Sequence, residues 1–261
     1  MNVSALPIGD RVRIMWRQQF SAPPEPEDPF YIVGDLHGRF DLLFRMITLI
    51  ENDAEDLGLT KPKIVFVGDY VDRGPQSDRV LALLVTLKSD PAWDITTLKG
   101  NHEEMLLNFL AAPTDTRSWL AHGGFETLMS YGLTSVTENS PNDLLMAGAR
   151  ELSDLMGDEV IEFLNALELS YTSGNIFVSH AGADPARPVN DQKEKSLVWG
   201  SSKFRSRPRR DGIWVAHGHF AETEASADFG RISVDTGAYY SNTLTAARLA
   251  NGEISFLSVE V

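Results

Sequence analysis

The sequence predicts an α/β fold, and three observations point to it. Apolar runs rich in β-branched residues alternate with segments of helical periodicity through about residue 111. A mostly helical stretch then interrupts the alternation, and short strand patterns return close together in the last third. The first run, Phe30-Tyr31-Ile32-Val33, leads into a glycine turn and reads as a buried strand. Phe40 to Ile50 carries Leu42, Leu43, Met46, Ile47, Leu49 and Ile50 on one broad face, which predicts a crossover helix. Lys63 to Val67 repeats the strand pattern and Val80 to Leu87 the helical one; Ile95 to Leu98 and Glu103 to Ala111 make a third pair. This βαβα order predicts a parallel sheet. Helical signals at Trp119 to Tyr131, Pro141 to Leu155 and Glu159 to Leu169 predict an inserted helical lobe at about 104–170. Strands resume at Asn175 to His180, Ile213 to His217, Arg231 to Asp235, Leu244 to Leu249 and Ile254 to Val261. Their close spacing predicts an antiparallel arrangement for this half.

Residues 1–29 stand apart from the 30–261 domain. A basic and apolar stretch, Arg11 to Phe20, precedes a proline-rich linker from Ser21 to Pro29, where proline forbids a helix. An extended N-terminal arm that packs on the domain or hangs off it is expected, with self-association as a further use.

Composition narrows the function. The chain has 261 residues, 43% of them hydrophobic and 23% charged, enough to bury a sizeable core. A net charge of −14 argues against non-specific binding to a nucleic-acid backbone. With no cysteine, disulfides, thiolate metal sites and cysteine nucleophiles are excluded, so any metal must be held by His, Asp, Glu or Asn. No uninterrupted apolar run approaches the length of a membrane span, and the N-terminus lacks a signal-peptide core, so a cytoplasmic protein without membrane contact is expected.

The chemistry collects where the strands end. Asp35 and His37 follow the first strand, Asp69 the second, Asn101 and His102 the third; His180 and His219 follow later ones. In open α/β sheets the carboxyl ends of strands converge on one crevice, so residues far apart in sequence can share a ligand. Aspartate oxygens and histidine nitrogens together suit a borderline divalent metal. Gly68-Asp69-Tyr70-Val71-Asp72-Arg73-Gly74 adds two carboxylates and a guanidinium able to grip phosphate oxygens. Gly100-Asn101-His102-Glu103 adds an amide oxygen and a candidate general acid, in a pattern that also reads as a helix start.

Taken in order, Gly-Asp-Leu-His-Gly at 34–38, Gly-Asp-Tyr-Val-Asp-Arg-Gly at 68–74, Gly-Asn-His-Glu at 100–103, Ser-His-Ala-Gly at 179–182 and His-Gly-His at 217–219 resemble the calcineurin-like metallophosphoesterases. The closer resemblance is to the phosphoprotein phosphatase branch with its bacterial and bacteriophage members. Trp119-Leu120-Ala121-His122-Gly123-Gly124, Thr127 to Gly132 and Val234 to Ala238 are similar to stretches of the bacterial members. The resemblance implies a sandwich of two mixed sheets flanked by helices, in α/β/β/α layers. It implies two divalent metal ions, manganese first, with iron or zinc as alternatives. Asp35 and His37 would hold one ion, Asp69 would bridge, and Asn101, His180 and His219 would hold the other, so that activated hydroxide attacks phosphorus in line. His102 would protonate the leaving alkoxide with Asp72 orienting it, while Arg73 and Asn101 would bind the phosphate.

The pattern has departures. Related bacterial phosphatases carry a second phosphate-gripping arginine two residues after the tryptophan matching Trp199, and here that position is Ser201. Arg205 is the expected replacement, with Lys203 nearby; the basic run through Arg207, Arg209 and Arg210 is either for anionic substrates or a solvated loop. Phe220 replaces a common threonine after the last ligand. His217 is taken as a neighbour of His219, and His122 as an ordinary residue of the lobe. The resulting expectation is a serine/threonine protein phosphatase that also hydrolyses small phosphoesters. A dinucleoside polyphosphate hydrolase and a phosphate-binding scaffold without turnover are the alternatives.

Overall fold

A computed structural model describes residues 20–261. The chain runs β1 (Phe30–Val33), α1 (Phe40–Asp56), β2 (Lys63–Phe66), α2 (Ser77–Ser89), β3 (Asp94–Thr97) and α3 (Asn101–Ala111). A 3-10 turn (Arg117–His122), α4 (Gly124–Ser130) and the long α5 (Asn142–Asn165) follow. The rest is β4 (Tyr171–Ser173), β5 (Ile176–Val178), α6 (Glu194–Val198), β6 (Trp214–His217), β7 (Ser226–Asp228), β8 (Arg231–Ser233), α7 (Ala238–Ser241), β9 (Thr243–Ala250) and β10 (Glu253–Glu260).

Two five-stranded sheets result, ordered β10-β9-β1-β2-β3 and β4-β5-β6-β8-β7. The period-two alternation of each central strand divides its side chains between two cores. Tyr31, Val33, Ile64 and Phe66 face the helical layer, where Leu42, Leu43, Met46, Val80, Leu84 and Leu152 meet them. Phe30, Ile32, Val65 and Val67 point the other way, onto Ile176, Val178, Ala216 and Ile232 of the second sheet. A third cluster, including Phe177, Val215, Leu197 and Phe204, covers that sheet's outer face. The layers are therefore α/β/β/α, as expected.

The expected lobe is part of the helical layer. Trp119, Leu128, Leu145 and Phe163 belong to the same buried cluster as the sheet, and α5 packs on α2 and α3. Where one helix was expected over 119–131, Gly123 at φ 108° separates the 3-10 turn from α4. The two helices expected over 141–155 and 159–169 are both present as the two arms of α5, which meet at a non-helical break at Gly157. The antiparallel expectation for the second half holds only in part. β9 pairs antiparallel with β1 and β10, but β5–β6 and β6–β8 are parallel. Residues 179–213 supply a crossover long enough to return β6 in the same direction as β5, which close-spaced hairpins cannot do.

The described part of the arm lies on the second sheet. Phe20 packs edge-on against Trp214, whose Nε1–H donates to the Ala22 carbonyl at 3.0 Å. Glu25 N–H donates to Asn175 Oδ1 at 2.7 Å and Glu27 N–H to Ser173 Oγ at 2.9 Å. The Arg11 to Gln19 portion of the expected arm lies outside the described residues. Among the described residues, no helix is long and apolar enough to cross a membrane.

Candidate active site

β1, β2 and β3 are mutually parallel, as are β5, β6 and β8, so each trio finishes on one edge of its sheet. The loops that leave these ends carry Asp35, His37, Asp69, Asp72, Arg73, His180, His219 and Asp235, and the first turn of α3 carries Asn101 and His102. His37, Asp69, Asp72, Arg73 and His219 all have positive φ despite having side chains. Such backbone persists only where surrounding contacts over-determine it. Here the contacts include His37 N–H donating to the Asp69 carbonyl at 2.8 Å and Leu36 N–H to the same oxygen at 3.0 Å.

Two donor sets meet at Asp69. Its Oδ2 lies 3.5 Å from His37 Nε2, and its Oδ1 lies 3.4 Å from His180 Nε2. Asn101 Oδ1 is 3.0 Å from His180 Nε2 and 2.9 Å from His219 Nδ1. The opposite ring nitrogens of two of these histidines face backbone carbonyls, His37 Nδ1 that of Val71 at 2.9 Å and His180 Nδ1 that of Val67 at 3.1 Å. A proton assigned to Nδ1 by those carbonyls leaves Nε2 a bare lone pair. Lone pairs of His37, His180, Asn101 and Asp69 thus face one another across short gaps, a repulsive arrangement that a cation between them makes attractive. Burial also lowers the imidazole pKa values, to about 3 for His37 and about 4 for His219, with His180 shifted the same way. Neutral imidazoles are what metal coordination requires. The residues present therefore fit two metal ions sharing Asp69.

Asp35 sits beside this pair of sites. Its carboxylate accepts His219 N–H at 3.0 Å, and burial, then Asp235 and Asp69, raise its pKa well above the usual range. Asp235, hydrogen-bonded to it, is pushed up to about 6 by burial first. Two adjacent buried carboxyl groups must share a proton or a cation.

On the other side, His102 Nδ1 is 2.6 Å from Asp72 Oδ2, and its Nε2 is 3.1 Å from Arg73 Nη2. Burial acts to lower the His102 pKa, but the charges of Asp69 and Asp72 and the hydrogen bond to Asp72 outweigh it and raise the pKa overall. Its behaviour is thus opposite to that of His37, His180 and His219. Asp72 is itself held by Trp119 Nε1–H at 2.7 Å and Thr127 Oγ1–H at 2.7 Å. The helical segments 117–130 thereby anchor the carboxylate that orients His102. Glu103, fully buried, accepts the N–H groups of Asp69, Tyr70 and Gly100 at 2.7–2.9 Å and so ties the β2 and β3 loops together. A Cβ on Gly100 would overlap the Asp69 carboxylate, so only glycine fits there.

Residues 28–240 match the family model for calcineurin-like phosphoesterases. The chain belongs to that family. The phosphoesterase is 30% identical over 228 residues to serine/threonine-protein phosphatase 1 of Salmonella typhimurium, covering 84% of this chain and 91% of the relative. It is 28% identical over 250 residues to the asymmetrical bis(5'-nucleosyl)-tetraphosphatase PrpE of Oceanobacillus iheyensis, covering 87% and 90%. In fold it is similar to the crystal structure of a cold-active protein-tyrosine phosphatase from Shewanella, with a TM-score of 0.58 and 15% identity over 92% of this chain and 85% of that one.

The phosphoesterase gathers Asp35, His37, Asp69, Arg73, Asn101, His102 and His219 around a cleft of about 100 Å3, with His180 buried behind Asn101. Arg205 is not brought in, which corrects the expectation that it replaces the missing arginine. Its exposed guanidinium pairs with Glu222 at 3.2 Å and lies over the Phe220 ring, apart from the residues that line the cleft. Arg209 of the same run is buried and structural, bound to Asp211 and to the carbonyls of Asp184 and Arg187. His217 turns away from the cleft against Phe204, and exposed His122 faces the Ser118 carbonyl. Sequence reasoning assigned no role to Asp235, Tyr239, Thr127 or Trp119. Tyr239 lines the cleft with its ring 5.3 Å from His37 and under the Arg73 guanidinium at 4.9 Å. The Trp119 to Gly124, Thr127 to Gly132 and Val234 to Ala238 stretches carried the only signal for Trp119, Thr127 and Asp235, and none singled out Tyr239.

Proposed function

We propose that this phosphoesterase is a phosphomonoesterase working with two divalent metal ions on phosphoproteins, as a serine/threonine protein phosphatase. The observation that carries the reading is the placement of His102, bound to Asp72, directly beside the two donor sets that share Asp69. Asp35, His37 and Asp69 would hold one ion; Asp69, Asn101, His180 and His219 would hold the other, with manganese the first metal to supply, and iron or zinc next. When bound, such ions supply Lewis acidity toward phosphate oxygens and lower the pKa of water.

The chain's own residues bind the phosphate and move the proton. Arg73, at the cleft mouth, grips phosphate oxygens; its ring contact with Tyr239 limits where the guanidinium can swing. As oxygens draw Arg73 away, His102 Nε2 is released to hold a proton for the leaving alkoxide, and Asp72 stabilises the imidazolium. His102 also lies near enough to His37 and Asp69 to join that donor set. Its Nδ1 contact with the Asp72 carboxylate, where His37 and His180 meet backbone carbonyls, assigns it to proton transfer instead.

Hydrolysis of dinucleoside polyphosphates is the second reading, favoured by the similarity to PrpE along nearly the whole chain. A scaffold without turnover is disfavoured by the intact His102–Asp72 pair. A metal-reconstituted assay comparing phosphoserine peptides, an aryl phosphate and diadenosine tetraphosphate separates the three. Higher kcat/KM on the peptides is expected; a preference for the dinucleotide would replace this reading with the second, and inactivity on all three would favour the scaffold.

A further inference from the structure

A second cavity, of about 360 Å3, opens beside the cleft. Arg73, Asn101 and His102 line both, so the two form one continuous surface with His102 at the junction. In the phosphatase reading, on which this inference rests, His102 protonates the leaving oxygen. The part of the substrate attached to that oxygen then extends past His102 into the larger cavity.

The walls there have a definite chemistry. Beyond Arg73, no lysine or arginine lines the cavity among the described residues, while exposed Asp115 does, its carboxylate accepting from Thr114 Oγ1–H at 3.3 Å. The indole of Trp199, 41% exposed, also lines the cavity, and its Nε1–H is bound to the Glu104 carboxylate, which fixes the ring and adds negative charge at its edge. A polyphosphate leaving group would carry several negative charges past Asp115 with Arg73 as the one permanent cation on the walls, beside the imidazoles of His102 and His122. An arginine side chain matches the same walls: its planar guanidinium stacks on an indole face and pairs with a carboxylate. We propose that this cavity is a leaving-group subsite that selects phosphopeptides carrying arginine beside the phosphorylated residue.

The test uses the metal-loaded full chain and three sets of phosphoserine peptides, with arginine, alanine or aspartate scanned through the two positions on each side of the phosphoserine. Phenyl phosphate and diadenosine tetraphosphate serve as reference substrates. For the wild type, kcat/KM at one flanking position is expected to be about five- to tenfold higher with arginine than with alanine, and lowest with aspartate. Asp115→Asn and Trp199→Leu are each expected to bring the arginine-to-alanine ratio toward one; because the ratio is taken within a variant, a general loss of activity cancels. Equal kcat/KM for all three peptide sets, or a wild-type ratio retained in both variants, would overturn the subsite while leaving the phosphatase reading standing. Turnover of phenyl phosphate or the dinucleotide with no turnover of any phosphopeptide would sink that reading and the subsite together.

Discussion

His102 shows how far a residue's role depends on its neighbours. Buried like His37 and His180, it differs in having a carboxylate 2.6 Å from Nδ1 where they have carbonyls, and the carboxylate favours the protonated ring. Replacing His102 with Asn is expected to leave metal content near normal and to lower turnover of an alkyl phosphoester by roughly 10²–10⁴-fold, the range of general acid catalysis. An aryl phosphate, whose leaving group barely needs a proton, should lose much less, and steady-state kinetics on both substrates checks this; equal losses would remove His102 from the acid role. Glu103 acts without touching the cleft. Glu103→Gln leaves a single carbonyl oxygen and a competing NH2 where two carboxylate oxygens accept the N–H groups of Asp69, Tyr70 and Gly100. A destabilisation of about 1–3 kcal/mol is expected for the unpaired donors, measurable by urea denaturation. Unchanged stability would show that the loops hold without that anchor.

At the scale of elements, the break in α5 is the clearest case of backbone conformation fixing a residue. Gly157 adopts φ 73°, ψ 167°, a region essentially closed to other residues, although no atom lies within 4 Å of where a Cβ would stand. Gly157→Ala should therefore cost about 1–3 kcal/mol through backbone strain alone, with kcat and metal content unchanged. Thermal unfolding of the variant decides the point: a wild-type midpoint would mean that α5 can straighten at no cost. The α4 segment has a different task. Thr127 on its buried face holds both the N–H and a carboxylate oxygen of Asp72, so the helical layer positions the Asp72–His102 pair as well as covering the sheet.

For the whole molecule, the two sheets are joined by the Phe30 to Leu249 core and, at its edge, by a site drawing Asp35, His37 and Asp69 from one sheet and His180 and His219 from the other. Without a cation, buried carboxyl groups and facing lone pairs oppose that closure. A ligand that binds only the folded chain stabilises it by about 2.7 kcal/mol at a free concentration one hundred times Kd. Adding manganese is expected to raise the unfolding midpoint, and a chelator to reverse the shift, as scanning calorimetry can record. Asp69→Asn should abolish most of this response, since both donor sets lose the shared carboxylate. A midpoint that ignores metal in the wild type would contradict the two-ion reading.

The sequence by itself determined the α/β class and the residues at the strand ends, because period-two and period-3.6 apolar patterns and glycine turns are local features and parallel strands finish on one edge, while the layered sandwich was implied by the resemblance of its ordered motifs. Its strand ends carry Asp35, His37, Asp69, Asn101, His102, His180 and His219 toward one crevice. Local signals could not reveal what depends on distant backbone. The mixed direction of the second sheet follows from how a long connection returns. The capture of Arg205 by Glu222, the pairing of Asp235 with Asp35, and the hold of Trp119 and Thr127 on Asp72 join residues between 17 and 200 positions apart. Only the tertiary structure brings such groups within hydrogen-bonding distance, and only there does His102 meet a carboxylate at Nδ1 where His37 and His180 meet carbonyls.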